Sequence, residues 1–555
     1  NIQVSELIVR YMERLGVEYI FGMPGAHILP VYDSLYDSKI ESVLAKHEQG
    51  AAFMAGGYAR VSGRIGACIA TAGPGATNLV TGIANAYADK QPVLIITGET
   101  STGVFGRGGL QESSGEGGAI DQTSLFRGIT KYHRLVERTD YLASVLNQAS
   151  DALLSDSPGP VLLSFPFNLQ KEMVDDSLLE SVKTRRRPRA SCGDSPLIDT
   201  VTERLLGAEN PVIVAGYGAI LAGAQATLTR LSETLAVPVA TSLKGKGVID
   251  EHSDLALGSL GVTSGGYAYD YITAKADLLL FLGTGFNERT SYLWDEALLK
   301  GKQVIQIDNN PEQLEKVFRA DVTVAADIND ALSAVLGRIT AGGVHRAHPA
   351  EPPGRERLRG EGHAGAAHSI FDTKFALVEH FFKRLERRFP QDIQIFDDNI
   401  VFAQNFLNVS GTNRYYPNSG ISSLGHAIPA AIGGRCADPR PTLAILGDGG
   451  FQMCCMELMT AVNYRLPLTV VLFNNATMGL IRKNQSQQYD GRYIDCDFVN
   501  PDYAYLARSF GINHRRIASE QDLDAAFAAT DFDSAINLVE IVIDRDAFPR
   551  YSSRR

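Results

Sequence analysis

Short, continuous apolar runs punctuate the chain. Ala67-Cys68-Ile69-Ala70, Val93-Leu94-Ile95-Ile96 and Val161-Leu162-Leu163 occur early, Pro211-Val212-Ile213-Val214-Ala215 and Leu278-Leu279-Leu280-Phe281-Leu282 in the middle, and Leu468-Thr469-Val470-Val471-Leu472-Phe473 late. Longer stretches of helical period, such as Ser5 to Leu15, alternate with them. Continuous apolarity marks strands covered on both faces, hence parallel sheets with crossover helices. This grammar occurs three times. It lapses from Lys171 to Ser195 and from Ala341 to His368, the second lapse being rich in Gly, Pro, Arg and His. The pattern predicts an α/β chain of three doubly wound parallel-sheet domains, at 1–170, 196–340 and 369–555, with linkers at 171–195 and 341–368.

Composition agrees with an ordinary enzyme interior: of 555 residues, 45% are hydrophobic and 21% charged. The formal charge is −11, and the only dense basic run is Arg185 to Arg189, best read as a solvated linker. That balance argues against nucleic acid as a partner. No apolar stretch reaches the roughly 20 residues that span a bilayer, and the first residues lack the signal-peptide pattern, so the expectation is a cytoplasmic protein without a membrane partner. Six cysteines without a CxxC pair suggest neither a disulfide framework nor a zinc site.

The most specific chemical signal is late in the chain. Ala444-Ile445-Leu446 runs into Gly447-Asp448-Gly449-Gly450, and Leu468 to Phe473 runs into Asn474-Asn475, with a helical stretch from Glu457 to Tyr464 between. Strand, helix, strand returns both turns to one carboxyl edge of a parallel sheet, where open α/β folds bind ligands. One carboxylate oxygen and one amide oxygen facing a common point are hard donors that suit magnesium. Glycines 447, 449 and 450 let backbone amides approach a diphosphate, and a following helix adds a favourable dipole. Either turn alone is an ordinary turn; together, Asp448 and Asn475, 27 positions apart, resemble the signature of the thiamine diphosphate enzyme superfamily. That resemblance implies that Asp448, the Asn475 side chain and the Thr477 carbonyl hold Mg2+, with Met478 and Gly479 beside the cofactor.

Lys46-His47-Glu48-Gln49-Gly50-Ala51 resembles the family's strand-end glutamate motif, and Thr71 to Asn78 (TAGPGATN) its pyrimidine-side loop. A carboxyl group hydrogen-bonded to the aminopyrimidine favours the tautomer that accepts the cofactor's C2 proton, so the resemblance makes Glu48 the activating residue. Pro24, Thr71, Pro74 and Asn78 are implied to line the pyrimidine side. In Ser419 to His426 (SGISSLGH) the resemblance makes Leu424 the prop under the cofactor and the Ser422 carbonyl an acceptor for its amino group; Leu424 could equally be plain core.

The likeness runs nearly end to end and is closest to the acetohydroxyacid synthase (acetolactate synthase large subunit) branch, through Gly22 to Asp33 (GMPGAHILPVYD), Leu110-Gln111-Glu112 and Pro429 to Gly433. Arg289 stands where that branch recognises the acceptor's carboxylate, which a planar guanidinium suits; a surface ion pair with Glu288 or Glu296 is the alternative. Departures bear on substrate. Asn484 stands where the synthases have a tryptophan on the acceptor side, and Phe402-Ala403-Gln404 replaces a Gln-His-Gln near the diphosphate. His27 replaces a small residue, and Gly-Ala-His here resembles benzaldehyde lyase and cyclohexane-1,2-dione hydrolase. His27 and Gln111 are thus candidate catalytic groups that move a proton at the reacting carbonyl, or else structural hydrogen-bonders. The glycine-rich stretch from Gly103 to Gly118 is expected to be a flexible cover on the acceptor side.

Two strand-to-glycine turns in the middle domain, at Gly216-Tyr217-Gly218 and Gly283-Thr284-Gly285, suit a nucleotide but lack a third glycine. The branch resemblance brings FAD into question: Gly216, Gly218, Thr241, Leu260, Gly283 and Arg289 match, whereas Gly285 and Thr263 replace the synthases' arginine and histidine. The resemblance also implies a homodimer at least, and a homotetramer by preference. The function expected is thiamine diphosphate-dependent decarboxylation of a 2-oxo acid, pyruvate first, with ligation of the acyl unit to a carbonyl acceptor. The alternatives are a carbon–carbon lyase or hydrolase, a simple decarboxylase, and, more remotely, a non-catalytic nucleotide-binding homologue.

Overall fold

The structure is a computed structural model that describes residues 1–186, 191–361, 363–366, 369–412 and 414–551. Arg187 to Arg189 of the basic run, and residues 362, 367 and 368 of the second expected linker, lie outside the described residues.

The apolar runs become three six-stranded sheets, parallel throughout. The first contains β1 (Tyr19–Gly22), β2 (Glu41–Leu44), β3 (Gly66–Ala70), β4 (Val93–Glu99), β5 (Tyr132–Leu135) and β6 (Val161–Pro166), in the order 2-1-3-4-6-5. The second contains β7 (Pro211–Ala215), β8 (Val239–Thr241), β9 (Ala256–Ser259), β10 (Leu278–Leu282), β11 (Gln303–Asp308) and β12 (Val322–Ala325), ordered 9-8-7-10-11-12. The third contains β13 (Gln394–Asp397), β14 (Arg414–Pro417), β15 (Thr442–Gly447), β16 (Leu468–Asn474), β17 (Asn513–Ile517) and β18 (Ile536–Val542), and repeats the first order as 14-13-15-16-18-17.

Each sheet has a switch point where successive crossovers run in opposite directions, and the crevice outside the carboxyl ends there is where such folds bind ligands. In the first sheet Gly22 pairs with Leu44 on one side and Ile69 on the other, so the turns carrying His27, Glu48 and Thr71 leave together. In the second, the switch brings Gly216 beside Gly283. In the third, Asp397 pairs with Ile445 and Gly447 with Phe473, which sets the turns after β13, β15 and β16 along one edge.

The first and third domains share a core. Helix α1 (Glu48–Ser62) crosses α2 (Ala427–Ala437), and Ala51, Met54 and Ala55 join Ala430, Ala431 and Ile432 in one buried cluster. The crossing depends on glycine: a Cβ at Gly57 would overlap the Ala430 carbonyl, and one at Gly433 the Met54 carbonyl. Gly433→Ala should therefore cost about 1–3 kcal/mol by overpacking, read as a lower midpoint in urea unfolding. An unchanged midpoint would show that the two helices can separate freely.

The segment read as a second linker is partly organised. Pro353–Gly360 is helical, and Arg357 donates to the carbonyls of Ala256 and Glu251, which docks this helix on the middle domain. Charged residues at a tertiary contact hid it from periodicity.

Candidate active site

Glu48 opens α1, and the His47 imidazole caps that helix by accepting the Gln49 N–H at 3.1 Å. The Asn78 amide donates to Glu48 Oε2 at 2.9 Å, so the strand-end glutamate and the Thr71 to Asn78 loop meet. Gly25 lies so close to Thr71 that a Cβ there would overlap its side chain, and the His27 N–H donates to Thr71 Oγ1 at 3.3 Å. Pro24 is exposed beside them. The His27 ring is buried, its Nδ1 lies 3.3 Å from Gln111 Oε1, and its backbone carbonyl accepts Gln170 Nε2 at 2.7 Å. Gln111 has φ +55°, a strained setting for a residue other than glycine. His27 and Gln111 are thus brought together as expected from their motifs.

The glycine-rich cover is gathered around one acid. The Glu112 carboxylate accepts the N–H groups of Gly106, Gly108 and Gly109, and the Ser114 hydroxyl at 2.9 Å. The glycines supply a ring of donors for one anion.

Asp448 begins α3 (Asp448–Cys454) immediately after β15 and is almost fully buried. Its Oδ2 accepts the N–H groups of Asn475 at 3.1 Å and Ala476 at 2.6 Å and the Asn500 amide at 2.8 Å; its Oδ1 accepts the Gly449 N–H at 3.0 Å. Burial nevertheless raises its pKa above the ordinary carboxylate value, the environment that a bound cation offsets. Asn475 Oδ1 accepts the Thr477 N–H at 3.3 Å. Gly449 is packed so tightly against Met478 that a Cβ would meet its sulfur, and Gly450 faces Leu424.

Asp448, Gly449, Gly450, Asn475, Thr477, Met478 and Leu424 line one cavity of about 320 Å3, together with Ser422, Gly479 and Arg289. The Asp448 carboxylate and the Asn475 amide oxygen, hard donors at adjacent strand ends, fit a small divalent cation and a diphosphate. The exposed Ser422, at φ +55°, turns the chain before Leu424. Arg289 also faces the Tyr551 phenol, whose pKa burial raises and the guanidinium opposes. Asn484 is half-buried on α4 (Gly479–Gln488) but is not among the residues lining the cavity.

Every residue lining this cavity lies in the middle or third domain. Glu48, His27, Gln111, Thr71, Pro74 and Asn78 do not reach it within one chain.

Sequence reasoning missed part of the site. Asp398 and Asn399 line the cavity from the end of β13. Asp398 accepts the N–H groups of His426 and Ala427 at 2.9 Å, fixing the turn after Leu424. Behind it, Asp397 takes the Tyr415 hydroxyl at 2.8 Å and the N–H groups of Asn399 and Ile400, and burial pushes its pKa up to about 7. Ile400 is held at φ +68°, an outlier for a β-branched residue. The dipeptide Asp397-Asp398 at a strand end was the available signal.

The middle-domain glycines have a packing explanation. A Cβ at Gly216 would meet the Gly283 carbonyl, and one at Gly218 the Gly283 Cα, while the Gly218 N–H donates to Gly283 O at 2.9 Å. The two turns grip each other. A cavity of about 300 Å3 lies beyond them, lined by Gly218, Gly283, Lys244, Asp308 and Arg289 among others, but not by Gly216, Thr241 or Leu260. Thr263 instead donates to Gln404 at 2.6 Å, tying the middle domain to the third.

Three parallel-sheet domains, with a strand-end glutamate in the first and a carboxylate–amide pair in a cavity of the third, define a diphosphate-cofactor enzyme. Residues 2–123, 198–335 and 399–536 match, in turn, the thiamine pyrophosphate enzyme N-terminal TPP binding domain, central domain and C-terminal TPP binding domain. The chain belongs to the thiamine pyrophosphate enzyme family, on its acetohydroxyacid synthase-like branch. Similar proteins include a "probable acetolactate synthase large subunit" of Methanocaldococcus jannaschii, 32% identical over 97% of this chain and 92% of the other. The "acetolactate synthase isozyme 2 large subunit" of Escherichia coli K12 is 32% identical over 94% of this chain and 92% of its own. A "probable 2-ketoarginine decarboxylase" of Pseudomonas aeruginosa is also 32% identical, over 98% and 94%. Among the described residues, no helix is long and apolar enough to cross a membrane.

Proposed function

We propose that this enzyme decarboxylates a 2-oxo acid, pyruvate in the first instance, and joins the acyl unit to a carbonyl acceptor. The observation that carries the proposal is the meeting of Asp448 and Asn475 in one cavity that also holds Arg289. Thiamine diphosphate supplies, when bound, the nucleophilic carbon and the electron sink that such a decarboxylation needs. Mg2+ would be held by Asp448, the Asn475 side chain and the Thr477 carbonyl, with the amides after Gly447 turned to the diphosphate. Leu424 and the Ser422 carbonyl would orient the ring system, and Glu48 would keep a proton on the aminopyrimidine. Arg289 would orient the acceptor's carboxylate; Asn484, which does not line this cavity, is given an acceptor-side role by the resemblance alone.

Glu48 and the cavity are apart within one chain, which supports a homodimer as the least active unit, with the pyrimidine side contributed by the second copy. Exposed Leu110, Met453 and Met456, at 70%, 56% and 54% accessibility, are apolar surfaces next to the site motifs that such an interface would cover. A homotetramer and a cytoplasmic setting extend the same reading. FAD is not used in any step here; the middle cavity, at the small end of ligand sites, and the packing role of its glycines give flavin less support than the cofactor above. The visible spectrum of the purified protein tests this: a flavin band would show a bound flavin, and its absence would leave the thiamine cofactor alone supported.

Incubation with pyruvate, thiamine diphosphate and Mg2+ followed by product analysis tests the proposal: acetolactate supports ligation, and acetaldehyde alone contradicts it. The His27–Gln111 contact favours a second reading, carbon–carbon cleavage of an acyloin or cyclic diketone, because the pair can move a proton at a carbonyl oxygen. His27→Ala should lower coupled product by about 100-fold while CO2 release falls far less. Equal loss of both would place His27 in the decarboxylation step instead.

A further inference from the structure

Glu457 is an acid of the third domain that none of the steps above uses. It ends the 3-10 turn Cys455–Glu457 that follows α3, so the chain runs from Asp448 directly to it. Its side chain is buried, and among the described residues no ion pair joins it to a cation of its own domain. It reaches the first domain instead. Both carboxylate oxygens accept the Lys46 N–H, at 3.1 and 3.2 Å, and Oε1 also accepts the His47 N–H at 3.1 Å. Thr460 Oγ1 donates the remaining hydrogen bond at 2.7 Å. Lys46 and His47 are the two residues before Glu48.

The neighbouring sequence is cut to fit this carboxylate. Gly50 stands where any side chain would collide with Glu457 Oε1, and the tight α1–α2 crossing fixes the distance between the two domains. An anion accepting consecutive backbone N–H groups at a helix start sets the direction in which that helix, and its first side chain, leaves the sheet. We infer that Glu457 is a positioning residue for Glu48: it fixes the turn from which the activating carboxyl projects, so that the domain carrying Asp448 also sets the aim of the glutamate. This rests on the reading of Glu48 as the group that handles the cofactor's proton.

The test uses the full-length protein with and without cofactor. In the apoprotein, Glu457→Gln, which keeps one acceptor oxygen but loses the charge and the second oxygen, should lower the hydrogen-exchange protection of the Lys46 and His47 amides. In protein loaded with thiamine diphosphate and Mg2+, proton–deuterium exchange at the cofactor's C2 should slow by about 10- to 100-fold, the usual effect of losing an orienting partner, with cofactor affinity changed by less than about threefold. The double variant Glu48→Gln/Glu457→Gln should exchange no more slowly than Glu48→Gln alone, because both changes act on one group. Gly50→Ala, which displaces the carboxylate without altering it, should give the same slowing and serves if Glu457→Gln does not fold. A purely structural Glu457 would lower thermal stability and leave the C2 exchange of loaded protein at the wild-type rate; that result, or additive slowing in the double variant, overturns the inference. If Glu48→Gln itself exchanges like wild type, the reading of Glu48 fails first, and the inference with it.

Discussion

Replacing Asp448 by alanine is expected to weaken Mg2+-dependent binding of thiamine diphosphate by at least about 100-fold, close to 3 kcal/mol. Two losses combine. The cation loses the one carboxylate among its three proposed ligands, and the Asn475, Ala476 and Gly449 N–H groups and the Asn500 amide lose their common acceptor. An unsatisfied buried donor costs about 1–3 kcal/mol on its own. Asp448→Asn separates the contributions, since it keeps the side chain's shape and one acceptor oxygen but removes the charge. Titration of each variant with cofactor at fixed Mg2+ reads the effect. Wild-type affinity in both variants would remove Asp448 from the metal site.

The second large effect falls on rate rather than affinity. Glu48→Gln should lower CO2 release by about 10²- to 10⁴-fold, the range general acid–base groups contribute, while cofactor binding changes little. Gln keeps an oxygen for the Asn78 amide, which now bonds Glu48 Oε2 at 2.9 Å, so the loop need not move. The two substitutions should therefore act oppositely: Asp448→Ala lowers occupancy, and Glu48→Gln leaves full sites that turn over slowly. Single-turnover rates at saturating cofactor distinguish them.

Asp448 was legible because it stands at the end of a continuous apolar strand, whereas Glu48 follows Glu41–Leu44, a mostly exposed strand, and was legible only because Lys46 to Ala51 resembles the family's glutamate motif. Burial on both faces makes β15 and β16 readable without alignment, and the spacing of their turns follows from one crossover helix. Asp398 also stands at a strand end, but its partners are backbone groups nearby in space at His426 and Ala427, and no spacing rule announces them. Asn500 comes from an irregular segment with no periodicity at all. Glu457 read as the start of a helical stretch; its bonds to Lys46 and His47 cross most of the chain, which only the packing of α1 on α2 creates. The glycines at 216 and 218 were ambiguous in the sequence. A glycine turn that cradles a phosphate and one that lets two strand ends touch have the same local sequence, and the close approach of Gly216 and Gly218 to Gly283 shows the second role here.

If the chain holds thiamine diphosphate through a metal at Asp448 and Asn475, as its proposed decarboxylation of a 2-oxo acid requires, cofactor binding must depend on that metal. Calorimetric titration of the apoprotein with thiamine diphosphate, with and without Mg2+, tests it most directly. Saturable binding of one cofactor per chain that requires Mg2+ and is lost in Asp448→Ala is the predicted result. No binding, or binding indifferent both to Mg2+ and to Asp448, would contradict it.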